Sequence, residues 1–85
     1  MAQTHKVDIK DMKFTPASVT IAKDDTVEWT NRMAMDHTVA PDKGEFPSSG
    51  HIKPDKTFSH VFGTSGSVAY HCEIHPFMKG TVVVT

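Results

Sequence analysis

The sequence predicts an all-β protein, a β-sandwich with Greek-key connections and about seven or eight short strands. Three observations carry this prediction. Apolar and polar residues alternate in several short segments, turn-forming residues recur about every 8–12 positions, and no segment repeats its apolar residues with a helical period. With 85 residues and no internal repeat, the chain is expected to form one domain over residues 1–85.

The N-terminal part of the chain is expected to contain three strands. The first covers residues 5–14, with a bulge near its end where the alternation slips. The second covers residues 19–22 and follows a turn. The third, residues 26–31, alternates most clearly, so that Trp29 is expected to point into the core and Thr30 outward.

The C-terminal part is expected to contain a short strand beginning at residues 37–39, followed by an irregular segment. Residues 40–57 hold three prolines, two glycines and several charges, which indicates a surface loop with at most fragments of strand. Three further strands are expected at residues 57–62, 67–72 and 80–84, the last of them rich in valine.

Charge and hydropathy exclude two broad classes of protein. Nine basic and ten acidic residues are interspersed, for a net charge of −1, which argues against a nucleic-acid-binding protein with a basic patch. No apolar run approaches the roughly 18 residues of a transmembrane helix. No signal peptide is recognised, as expected of a processed mature chain.

The one cysteine begins a short pattern of metal-binding residue types, C-x2-H-x2-M, formed by Cys72, His75 and Met78. A thiolate, an imidazole and a thioether together suit copper better than other common metals. Taken singly, a cysteine or a methionine is more often a buried apolar residue, but the joint spacing in a loop between two strands favours a metal site. The loop thus holds three of the four ligands of a copper site with two histidines, one cysteine and an axial methionine.

The presence of a single cysteine excludes several other arrangements. An internal disulfide is impossible. A structural zinc site built from four cysteines, or from two cysteines and two histidines, is excluded as well. So is a binuclear copper centre that needs two cysteines.

Residues 70–84 closely resemble the copper-binding loop of the small bacterial cupredoxins, a family of type 1 blue copper proteins, and within it the amicyanins more than the plastocyanins or pseudoazurins. The short spacing and the run His-Pro-Phe-Met at 75–78 carry the resemblance, and residues 19–21, 27–31 and 35–39 read like the corresponding strands. The resemblance implies the cupredoxin fold, one type 1 copper ion per chain and a location in the bacterial periplasm.

The fourth ligand is implied by the same resemblance to be His37, which follows a Trp-bearing strand and a Met-rich turn as the first copper histidine of the family does. His51 is its main rival, although an exposed loop position is the simpler interpretation of that residue. His5 is expected to be solvated, and His60 to be half-buried and hydrogen-bonded. His71 is expected on the face of its strand opposite to the cysteine.

Three positions beside the ligands depart from the family pattern. Thr38 stands where cupredoxins commonly have an asparagine that ties the two ligand loops together, and a hydroxyl can replace that tie. Asp36 and Glu73 add carboxylates. Two interpretations of these carboxylates stay open: they favour the oxidised metal and lower its potential, or they are solvated loop charges with little effect.

The resemblance implies a soluble electron carrier that cycles copper between Cu(II) and Cu(I), with the electron leaving through the exposed edge of His75. Pro76, Phe77, Met33 and Met35 are expected to form an apolar patch where redox proteins dock briefly, such as a c-type cytochrome or a dehydrogenase. The protein is expected to be a monomer.

Two other functions compete with electron transfer. A copper-binding or delivery protein would use exposed methionines and histidines to hand over Cu(I), and exchangeable Cu(I) without an intense visible band would favour it. An enzyme with Cys72 and His75 as a nucleophile pair lacks an acidic orienting residue and an oxyanion motif in the sequence, so no catalytic residue is predicted.

Overall fold

The computed structural model describes residues 2–85 and consists, over that range, of eight β-strands in two four-stranded sheets. The strands are β1 (Thr4–Lys10), β2 (Lys13–Thr15), β3 (Ser18–Ile21), β4 (Thr26–Asn31), β5 (Ala40–Pro41), β6 (Thr57–Val61), β7 (Gly66–His71) and β8 (Lys79–Val84). The predicted all-β fold is confirmed. None of the described residues belongs to a helix long and apolar enough to cross a membrane.

The two sheets combine strands from distant parts of the chain. The first has the order β2-β1-β4-β6, and the second has the order β3-β8-β7-β5. β1 pairs with β4 and β3 with β8 in parallel, whereas the other neighbours are antiparallel. Because β2 and β3 lie in different sheets, the chain crosses between them, and each sheet covers one face of the other. β7 and β8, which flank the C-terminal loop, lie side by side inside the second sheet.

The core between the sheets is built around Trp29, which is fully buried as predicted. Its ring lies 5.3 Å edge-on from Tyr70 of β7 and 6.1 Å from Phe46, measured between ring centroids. Apolar residues at alternate positions of the inner strands complete the core: Val7, Ile9, Val27, Val68, Val82 and Val84. Such close packing gives the sandwich a rigid interior on which the loops at its ends are mounted.

The prediction of a single strand over residues 5–14 is wrong, because the chain reverses direction at Asp11 and Met12. β1 and β2 form an antiparallel hairpin in which Ile9 lies opposite Phe14. The two residues of the turn, Asp11 and Met12, have φ values of 52° and 58°. Positive φ at both positions is the signature of a tight hairpin turn whose twist matches the flanking strands. The alternation slips at this point because of the turn rather than a bulge.

Two details of the later segments also differ from expectation. Thr30 is buried, not exposed, since it lies inside the first sheet between Asp8 of β1 and Thr57 of β6. No strand begins at residues 37–39; His37 instead forms an isolated β-bridge with Ile52. The irregular character of residues 40–57 is confirmed, since β5, that bridge and the first residue of β6 are the regular structure found there.

Candidate metal centre

The predicted ligand residues lie on two loops at one end of the sandwich. Cys72 follows β7 directly, and the loop after it returns to β8 through a tight turn. The amide of Cys72 donates to the carbonyl of Met78 at 3.0 Å, and the amide of Met78 donates to the carbonyl of His75 at 2.9 Å. These two bonds fold the spacing C-x2-H-x2-M into a compact loop. His37 enters from the other loop, between β4 and β5.

Three donor atoms converge where the two loops meet. The side chains of His37, Cys72 and His75 each offer one ligand atom within 4.8 Å of the others. The sulfur of Cys72 lies 3.8 Å from Nδ1 of His37 and 3.9 Å from Nδ1 of His75. Bonds of about 2.1 and 2.3 Å from one ion to nitrogen and sulfur, in a trigonal arrangement, separate the two donors by roughly 3.8 Å. The donor set therefore fits a single ion of the size of copper.

The side chains of His37 and Cys72 are both fully buried, and this burial favours the neutral form of the histidine. Burial, together with the neighbouring His75, lowers the pKa of His37 below its usual 6.5, and Asp36 opposes the shift. A neutral imidazole is the form that binds metal. Among the described residues, nothing accepts a hydrogen bond from Nε2 of His37. Nδ1 faces the sulfur of Cys72 at 3.8 Å and is therefore the nitrogen positioned to bind a metal.

Met78, the predicted fourth ligand, is buried beside the other two residues of its loop. Its side chain is only 2% exposed. Its backbone is hydrogen-bonded to both Cys72 and His75, as described above, which keeps Met78 beside these two residues. A weak thioether ligand at this point would complete a site of two histidines and one cysteine with an axial methionine.

Thr38 connects the two loops beside the sulfur. Its amide donates to Sγ of Cys72 at 3.4 Å, and its hydroxyl donates to the same sulfur at 3.8 Å. The hydroxyl also accepts a hydrogen bond from the amide of Glu73 at 2.7 Å. The expected replacement of an asparagine tie by a hydroxyl is therefore present, with two donors directed at the sulfur.

Several exposed apolar residues lie on the two loops that carry the predicted ligands. Phe77 is 69% exposed, and its ring stands edge-on to the half-buried His75 at 6.3 Å between centroids. Met35 is 46% exposed and Ile74 is 41% exposed. Met33 is half-buried, and its sulfur accepts a hydrogen bond from a backbone amide at 3.4 Å, so it contributes less to the patch than expected. Sequence reasoning missed Ile74; an apolar residue between two ligand positions was the available signal.

The rival histidine His51 lies outside the group of donor atoms. It is exposed, as its simpler interpretation predicts, and its Nδ1 lies 3.0 Å from a carboxylate oxygen of Asp36. This hydrogen bond, followed by that of Lys53, holds the pKa of Asp36 below its usual 3.8. Asp36 is therefore paired rather than freely solvated.

The other three histidines make contacts away from the converging donor atoms. His71 points away from the cysteine as predicted and contacts Asp42 at 2.5 Å. The expectation that His5 is solvated is wrong, because it lies 2.9 Å from the buried carboxylate of Asp25. The hydrogen bond expected for His60 is absent from the described contacts; its ring stacks on Phe46 instead, and burial lowers its pKa.

Comparison with known proteins places this geometry in a family. Residues 1–85 match the family model for copper binding proteins of the plastocyanin/azurin family. The chain is 42% identical to amicyanin of Paracoccus denitrificans over 82 residues, which is 92% of this chain and 63% of the relative. It is 35% identical to plastocyanin of Scenedesmus fuscus over 83 residues, 84% of this chain and 85% of the relative.

The fold of the chain is also similar to that of solved amicyanin structures. Amicyanin from Paracoccus versutus superposes with a TM-score of 0.89 at 35% identity, over 96% of this chain and 81% of that one. A Cu(I) form of an amicyanin variant superposes with a TM-score of 0.88 at 37% identity, over 96% of this chain and 82% of that one. The chain spans 62–63% of the length of the two Paracoccus amicyanin sequences it matches.

Proposed function

Because the chain belongs to the plastocyanin/azurin family of copper-binding proteins, we propose that it is a type 1 copper electron-transfer protein. In this proposal His37, Cys72, His75 and Met78 hold one copper ion per chain. The observation that carries the proposal is the convergence of the two Nδ1 atoms on the buried sulfur, at 3.8 and 3.9 Å.

Bound copper would supply one-electron exchange between Cu(II) and Cu(I). The contribution of the chain is a donor set that needs little rearrangement between the two states. His37 and Cys72 are buried and lie on loops that Thr38 ties together. Their positions are thus held by the core and by hydrogen bonds between the loops, which suits electron transfer better than release of the ion.

His75 is the proposed point of electron entry and exit, because it is the one half-buried member of the three converging donors. Ile74, Pro76 and Phe77 lie beside it on the same loop and offer exposed apolar surface that suits brief docking of a redox protein. Met35, on the loop of His37, is exposed as well. The similarity to amicyanins supports a c-type cytochrome or a dehydrogenase as the partner. It also supports a single cupredoxin domain that acts as a monomer in the bacterial periplasm.

Visible and EPR spectra after addition of Cu(II) test this proposal. We expect an intense thiolate-to-copper band and narrow copper hyperfine splitting in the unchanged protein. Both should disappear in Cys72→Ser, and the intense band should remain in His51→Ala, since His51 is not among the converging donors. A faint band with wide splitting would contradict the site and favour copper delivery.

A further inference from the structure

The irregular segment of residues 46–53, called the brace below, is held firmly although it contains no strand. Phe46 and Ile52 are each 4% exposed and belong to the core. The ring of Phe46 stacks on His60 at 4.8 Å and on Trp29 at 6.1 Å, measured between centroids. The brace is therefore anchored at two points in the sandwich, and the residues between them cross the surface next to the metal centre.

The backbone of the brace runs along the loop that carries His37. The amide of His37 donates to the carbonyl of Ile52 at 3.2 Å, and the amide of Ile52 donates back at 2.7 Å. Val39 donates its amide to the hydroxyl of Ser49 at 2.8 Å and accepts from the amide of Ser49 at 2.9 Å. The residues on both sides of Thr38 are thus paired with the brace.

The side chains of the brace contact both ligand loops through the carboxylates that stand next to ligands. His51 and Lys53 lie 3.0 and 3.4 Å from a carboxylate oxygen of Asp36, the residue before the buried histidine. The hydroxyl of Ser48 donates to the carboxylate of Glu73, the residue after the cysteine, at 2.8 Å. One segment therefore reaches both halves of the donor set.

We propose that the brace is a positioning element, which fixes the distance between the loop of His37 and the loop of Cys72 through Ser48 and His51. This inference rests on the proposed copper site and assigns a role to the irregular segment. The brace resists movement of either loop because a shift of one must break hydrogen bonds to a segment that the core holds still. Asp36 and Glu73 then serve as attachment points rather than as free charges.

The double variant Ser48→Ala/His51→Ala tests the proposal, because it removes the two hydrogen-bonding side chains that the proposal names and keeps the contact of Lys53, the backbone pairing and the core anchors. Both residues are exposed, so the variant should fold. In the metal-free protein, we expect amide hydrogen exchange at His37 and Glu73 to become roughly fivefold faster. In the copper-loaded protein, we expect the intensity ratio of the thiolate-to-copper bands to change.

Two controls separate positioning from general loosening. Ser65→Ala removes a serine–carbonyl contact of 3.4 Å at the far end of β7 and should leave exchange at His37 and the band ratio unchanged. Ser48→Thr keeps the hydroxyl. In the background of His51→Ala, it should return the amide exchange rate at Glu73 to the slower wild-type value.

Wild-type exchange rates at His37 and Glu73 in the metal-free Ser48→Ala/His51→Ala variant would overturn the proposal. Exchange in the metal-free protein decides it independently of copper. Absence of a thiolate-to-copper band in the unchanged protein would instead contradict the copper site itself.

Discussion

At the scale of single residues, Thr38 shows how one side chain can act on the metal without binding it. Its hydroxyl accepts from the amide of Glu73, so its own proton is free to point at the sulfur of Cys72. Hydrogen bonds to a ligating thiolate draw electron density from the metal and favour the reduced state. The loss of this hydroxyl should therefore lower the reduction potential.

Thr38→Val tests this effect, since valine keeps the shape and the backbone donor but not the hydroxyl. We expect the potential of the copper-loaded protein to fall by roughly 40 mV, which corresponds to one hydrogen bond of about 1 kcal/mol. Voltammetry measures the change, and Thr38→Ser, which retains a hydroxyl, should stay close to the wild-type value. An unchanged or higher potential in Thr38→Val would show that the hydroxyl does not act on the sulfur.

Gly80 is a second residue whose identity is set by one contact. A Cβ atom at this position would lie 2.3 Å from Cζ of Tyr70, whose ring is buried in the core. Gly80→Ala should lower the free energy of unfolding of the metal-free protein by about 1–3 kcal/mol, because the packed ring cannot move aside without cost.

Urea unfolding of the metal-free protein measures this loss, with Gly63→Ala as the matched control. The nearest atom to a Cβ at Gly63 is a carboxylate oxygen at 3.6 Å, an ordinary contact. Equal stability of the two variants would mean that Tyr70 has room to move.

At the scale of elements, the turn before β4 holds the N-terminal strand in place. The buried carboxylate of Asp25 accepts hydrogen bonds from the amides of Gln3 at 2.9 Å and Ala22 at 3.1 Å, and contacts His5 at 2.9 Å. The bond from Gln3, followed by that from His5, lowers the pKa of Asp25 below its usual 3.8. The ionised carboxylate therefore stabilises the folded protein above the unfolded-state pKa, and this contribution is lost as pH falls through the lower folded-state pKa.

Asp25→Asn should reduce the stability of the metal-free protein at neutral pH, and the difference from wild type should shrink as pH falls below 3.8. Urea unfolding at a series of pH values checks this, and Asp24→Asn at the exposed neighbouring position should show little change at any pH. If the loss of unfolding free energy in Asp25→Asn grew as the pH fell, the ionised carboxylate would not be the stabilising form.

Elements that depend on local pattern could be predicted from the sequence, and those that depend on distant contacts could not. The proposed ligands Cys72, His75 and Met78 could be predicted because their spacing is local. His37 needed the family resemblance, since it lies 35 positions before the cysteine and reaches it only through the folding of both loops. The brace was not recognised because its two core anchors stand alone among prolines and glycines, without periodicity. The hairpin at Asp11 was missed because Asp-Met lacks the glycine that usually marks such a turn.

At the scale of the whole molecule, the sandwich has a closely packed interior and carries the converging donor atoms on loops at one end. Of the four large apolar residues that are strongly exposed among residues 2–85, Met35, Ile74 and Phe77 lie on the two ligand loops, and Val61 lies on the edge strand β6. A concentration of apolar surface at the end that holds the donor atoms is what a carrier needs for short contacts with redox proteins.

Phe77→Ala should slow electron transfer with a c-type cytochrome roughly tenfold while leaving the visible spectrum unchanged, because an exposed aromatic residue at the centre of a contact contributes more than its neighbours. Stopped-flow measurement of the second-order rate constant tests this. Val61→Ala, which removes apolar surface of comparable exposure on β6, should have no effect. Equal rates for Phe77→Ala and wild type would place the docking surface elsewhere.

The most direct test of the central claim is voltammetry of the copper-loaded protein in the presence of a Cu(I) chelator. A buried, preformed donor set predicts a reversible one-electron wave that persists over repeated cycles, with copper retained and the wave absent in Cys72→Ser. Loss of copper to the chelator on the first reduction, or no reversible wave, would contradict electron transfer as the function and favour copper delivery.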